Sequence, residues 1–137
     1  MWKYYALLSA FFAALTAILA KVGVKGINGN LATAIRTTVV LLLAWGIVFF
    51  SGQLKGAKEL TKTNLVFLVL SGLATGLSWI FYFKALETGN VSKVAPIDKL
   101  SVVFVMILSF IFLKEQMDVK TIAGGLLIAI GAIVLVW

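Results

Sequence analysis

The sequence predicts an all-α membrane protein with five transmembrane helices. Three observations carry this. The 137 residues are 62% hydrophobic and only 12% charged, whereas a soluble domain carries roughly a quarter charged residues. Five continuous apolar runs fill nearly the whole chain, each close to the roughly 20 helical residues that cross a hydrocarbon core of about 30 Å. The lysines collect in the short segments between the runs. Backbone in lipid must satisfy its own hydrogen bonds, which leaves helices or a closed barrel, and these runs lack the alternation of barrel strands.

The first run, residues 4–20, is slightly short and carries a small-residue face of Ala10, Ala13, Ala14, Ala17 and Ala20. No clear A-x-A cleavage site follows it, so it reads as a retained span. Gly23, Gly26, Asn28, Gly29 and Asn30 then break the chain. The second run, 31–50, holds Arg36 in its first turns. Residues 51–64 form the longest connection, with Gly52, Gly56 and the cluster Lys55, Lys58 and Lys62. The third run is 65–83, and Gly89 is a good helix stop after it. The fourth is 94–113 and the fifth 121–137. Trp2 and Trp137 suit interfacial anchoring, while Trp45 and Trp79 lie deeper and need packing partners or a cavity.

Polar groups at membrane depth are costly, so their positions carry the functional signal. Ser71, Thr75, Ser78 and Tyr82 recur at helical spacing along the third span. One reading makes this stripe, together with Trp79 and with Ser101 of the fourth span, the wall of a substrate path. The other has the hydroxyls bonding back to their own helix carbonyls. Gly72 and Gly76 form a neighbouring G-x-x-x-G face suited to helix packing, as do Gly124, Gly125 and Gly131 in the fifth span.

The fourth span carries Pro96, Asp98 and Lys99. Residues 100–113 reach roughly 21 Å at about 1.5 Å per residue, too little to cross. The membrane therefore extends back to about Val94, and Asp98 and Lys99 lie near its edge. Pro96 cannot donate its amide to Ser92. It marks either a broken helix beside a carboxylate, as transporters use, or a first helical turn with Asp98 at the positive end. Arg36 falls on the same membrane side, so an Arg36–Asp98 pair is expected, with Lys99 competing for the carboxylate. The alternative is that both cations snorkel to the headgroups. Glu87 and Lys84 either join this cluster or are solvated.

The net charge of +7 comes from lysines scattered through the turns, which fits flanking residues of membrane helices rather than nucleic-acid binding. With no cysteine and no histidine, disulfides, thiolate or imidazole metal sites and histidine relays are excluded. No cofactor is called for. No phosphate-binding loop, dinucleotide fingerprint or nucleophile–histidine pair is present, so no enzymatic activity is expected. Orientation is weakly biased. Lys3, Lys55, Lys58, Lys62, Lys114 and Lys120 fall on one side, and Lys21, Lys25, Lys84 and Lys93 on the other, with Arg36 and Lys99 just inside it.

The chain resembles the EamA-type domain of the drug/metabolite transporter superfamily. The resemblance is carried by the runs 82–86 (YFKAL), 89–97 (GNVSKVAPI), 112–115 (FLKE) and 122–131 (IAGGLLIAIG), and more loosely by the small-residue face ending at Lys21 and by Arg36. It covers residues 1–137 as a single copy. It implies half of an inverted-repeat transporter, in the cytoplasmic (inner) membrane, working as an antiparallel homodimer or else with a separate partner. The implied activity is secondary transport, in the export direction, of small organic metabolites or drugs, with membrane lipids and a small-molecule substrate as its partners. A flippase subunit for a lipid-linked sugar and a non-transporting membrane assembly partner are the alternatives. The related small multidrug resistance proteins carry an acid in their first span. This chain has none there, so proton coupling falls to Asp98 or to no acid.

Overall fold

The computed structural model describes residues 1–137 and is helical throughout, without strands. Its helices are α1 (Trp2–Gly23), α2 (Gly29–Phe50), α3 (Lys62–Thr88), α4 (Val91–Asp98), α5 (Ser101–Leu108) and α6 (Val119–Val136). A 3₁₀ segment, Gln53–Glu59, lies in the connection after α2, and a π-helical turn, Ser109–Leu113, follows α5. Five helical segments are long and apolar enough to cross a membrane, the fourth being Val91–Leu113 taken as one.

The expected runs are present, and most extend further than hydropathy alone marks. α3 covers 27 residues, or about 40 Å at about 1.5 Å per residue. Helical backbone bonding continues through polar residues once started, so α3 takes in Lys62–Asn64 before the apolar run and Lys84–Thr88 after it. Local chemistry sets the ends. Asn28 caps α2, its side chain accepting from the Asn30 amide at 2.8 Å. Asp118 caps α6, accepting from the Thr121 amide at 3.0 Å. Gly52, at φ +69°, turns the chain away from α2.

The fourth span is discontinuous. Pro96 is the sixth residue of α4, so the first-turn alternative does not hold. The Lys99 amide reaches the Ala95 carbonyl at 3.3 Å and the Pro96 carbonyl at 3.1 Å. Leu100, Val102 and Val103 then bond to carbonyls three residues back, at 2.9, 3.0 and 3.0 Å. The ladder has tightened from α to 3₁₀ for one turn, directly after the residue that cannot donate. The span ends at Lys114, a non-glycine residue at φ 54°, whose amide bonds to the Ser109 carbonyl.

The chain divides into two compact units, residues 19–87 and residues 1–18 with 88–137. In the second of these, α4 and α5 pack on α6. Gly125 and Ala132 are buried, and the Met106 sulfur lies 2.6 Å from where a Gly125 Cβ would stand. Of the three glycines expected to pack in the fifth span, Gly125 is the one in contact. Gly124 and Gly131 have no such neighbour within 4 Å, and neither do Gly72 and Gly76 of α3.

Candidate functional site

The site lies in the unit of residues 19–87 and begins with a close approach of α2 to α3. Gly29, Ala32 and Thr33 are buried and Arg36 is half-buried, a spacing that makes one face of α2. Phe83 and Leu86 are buried on α3, with Trp79 and Ile80 half-buried. At Gly29 a Cβ would stand 2.5 Å from Glu87 Oε1 and 3.3 Å from the Phe83 carbonyl carbon. Only glycine lets the two helices meet here.

Charge complementarity closes this end. The Gly29 amide donates to Glu87 Oε1, placing a carboxylate at the positive N-terminus of α2. Lys21, in the last turn of α1, donates to the Leu86 carbonyl, one of the last carbonyls of α3 that lack helical partners. Glu87 is thus engaged rather than simply solvated. The sequence offered Gly29 as a chain break, Glu87 as a possible member of the charge cluster and Lys21 as a flanking lysine, but did not bring the three together. The available signal was an Asn-Gly helix start and an acid at the end of span three, both on one membrane side.

Arg36 follows the same face inward. Its guanidinium carbon lies 4.0 Å from the centroid of the Trp79 ring and 5.7 Å from that of Phe83. Both distances are within the range where the negative face of a ring attracts a cation. Gly29 is level with Phe83, and Trp79 is four residues before Phe83, so the guanidinium sits about 6 Å inward of the Gly29 level at about 1.5 Å per residue. Trp79, expected to need a partner, has Arg36. Trp45 is half exposed and tilts against Phe49 at 6.2 Å.

The polar stripe borders this shelf. Ser71, Thr75 and Ser78 are exposed at the surface of the chain and Tyr82 is half-buried. Trp79 lies between the stripe and the packed face of α3. The Thr75 hydroxyl donates to the Ser71 carbonyl at 2.9 Å. Thr33 and Thr37 on α2 likewise donate to Gly29 and Thr33 carbonyls, at 2.8 and 2.7 Å. These hydroxyls spend their proton on the helix but keep lone pairs that accept.

In the other unit, Asp98 pairs with Lys99 at 3.6 Å. The side chains are 39% and 57% exposed respectively, so the pair is open. Lys99, the expected competitor for the Asp98 carboxylate, thus reaches it within this unit. A flexible lysine one residue away needs no helix-to-helix register to reach Asp98. Ser101 opens α5 within the tightened turn.

The model of the EamA-like transporter family matches residues 1–137. The chain belongs to the EamA-like transporter family. A relative from Sinorhizobium sp., named as an uncharacterized transporter in the cobO 3′ region, is 49% identical over 134 residues, covering 98% of this chain and 95% of the relative. No solved structure matches. As an EamA-like protein with five membrane-length helices, the chain is a multi-pass membrane transporter.

Proposed function

We propose that this EamA-like protein is a secondary transporter of small organic metabolites or drugs, exporting them across the cytoplasmic membrane as a homodimer. The observation that carries the reading is the guanidinium of Arg36 held on Trp79 within a membrane-spanning helix pair, beside the hydroxyl stripe of Ser71, Thr75, Ser78 and Tyr82. Intramembrane cations that face protein rather than lipid mark substrate and ion pathways. The dimer is supported by the single copy of the domain that the family match covers. The Sinorhizobium relative, of which 95% is covered by this chain, carries the name of a transporter, and a half of an inverted repeat needs a second half.

Purified protein in proteoliposomes tests the reading. A metabolite library is screened by thermal shift, and each hit is then followed as radiolabelled counterflow. Saturable, protein-dependent flux of at least one hit is expected, and stabilising ligands without flux would favour a non-transporting partner. Cysteine introduced singly at Lys58 and at Lys93 reports orientation, because the native chain has no thiol. Labelling of both from outside intact cells fits an antiparallel dimer, and labelling of one alone leaves a parallel dimer or a monomer.

A further inference from the structure

Arg36 carries five N–H donors in a planar fork. Neither acid of its unit, Glu59 or Glu87, pairs with it. Its guanidinium carbon lies over the rings of Trp79 and Phe83, Tyr82 is close enough to interact with its charge, and a ring contact leaves N–H donors for a further acceptor. None of its nitrogens is buried without a hydrogen-bond partner, and the side chain is half-buried. Lys21, by contrast, has the Leu86 carbonyl, and Lys99 has Asp98. A half-buried guanidinium at this depth with no acid beside it calls for a planar acceptor with two oxygens.

We infer that Arg36 is the docking point for an oxyanion of the transported solute, a carboxylate or phosphate gripped by the edge of the guanidinium while Trp79 holds its face. The solute is then a small organic anion whose body extends along the stripe. Ser78 and Tyr82 flank Trp79 there, and the Thr75 oxygen remains able to accept from a solute hydroxyl or ammonium. Arginine is required rather than lysine because the ring contact and the two-oxygen grip use the plane of the fork. This inference rests on the transporter reading and narrows its substrate class. A lipid phosphate offers the same chemistry, so the test separates the two sources.

The test uses full-length protein in dodecyl maltoside, which has no phosphate, with Trp2, Trp45 and Trp137 replaced by Phe so that Trp79 reports alone. Benzoate and phenyl phosphate are titrated against its fluorescence, with benzyltrimethylammonium as the cationic control and dihexanoyl phosphatidylglycerol as the headgroup arm. Saturable change with at least one organic anion and none with the cation is expected. Arg36→Gln should weaken it by at least about tenfold, and Arg36→Lys by a smaller factor, while both variants elute as wild type on gel filtration. Response to the short phospholipid alone would assign the site to lipid and overturn the inference. An unchanged affinity in well-folded Arg36→Gln would overturn it too. In the flux assay, a solute carried at the wild-type rate by Arg36→Gln leaves the transporter reading intact and removes the anion site. Arg36-dependent anion binding without flux of any solute does the reverse.

Discussion

Replacing Gly29 by alanine adds one methyl group, and the structure says where it goes. The new Cβ would stand 2.5 Å from Glu87 Oε1, 3.2 Å from its carboxyl carbon and 3.3 Å from the Phe83 carbonyl carbon. The carboxylate must withdraw, and the Phe83 backbone, inside α3, cannot. The carboxylate that withdraws is the one accepting from the Gly29 amide. A hydrogen bond to a charged group contributes about 1.5–3 kcal/mol, so Gly29→Ala should cost about 2 kcal/mol. Gly125→Ala is the matched control. Its Cβ would meet only the Met106 thioether, at 2.6 and 2.7 Å, and that flexible side chain can turn aside. Alanine also gains about 1 kcal/mol of intrinsic helix propensity over glycine, so this variant should stay within about 1 kcal/mol of wild type. Unfolding by SDS in dodecyl maltoside micelles, followed by far-UV circular dichroism, compares the two. Because Glu87 is the shared partner, Gly29→Ala with Glu87→Gln should cost little more than Gly29→Ala alone. Equal losses for the two alanine variants, or full additivity with Glu87→Gln, would refute the close-approach argument.

Three further outcomes follow from the same geometry. Single cysteines at Ser71, Thr75, Ser78 and Tyr82 should react with a small polar thiol reagent while those at Leu73 and Ile80 do not; uniform protection would reduce the stripe to helix back-bonding. Asp98→Asn should lower stability by no more than about 1 kcal/mol, since an open ion pair contributes little, and a normal pH-driven flux in that variant would remove Asp98 from coupling. The Asp118 carboxyl is held below its ordinary value by the hydrogen bonds from the Thr121 hydroxyl and amide. Its cap on α6 is therefore fully present above the ordinary carboxylate pKa of about 4, and is lost as pH falls through the depressed folded value. Asp118→Asn should flatten that acid limb of a pH–stability curve, and an unchanged limb would exclude the cap as its source.

The five spans were legible because each is decided by local physics: length, apolar character and the demand that buried backbone bond to itself. The caps at Asn28 and Asp118 and the disturbance at Pro96 belong to the same class, although the sequence put the break at the proline and the tightened turn falls at residues 99–103. The polar stripe of α3 was also visible as a periodicity. Partnership was not. Topology specifies a level in the membrane and not a rotation about each helix. The packing of α2 on α3 turns Arg36 toward Trp79 and Phe83, and the approach that fixes this rotation depends on the missing side chain of Gly29. Sequence by itself determined that this protein crosses the membrane five times and which residues are polar inside it. Only the tertiary structure decided which of them meet, because helix rotation is set by contacts between segments far apart in the chain.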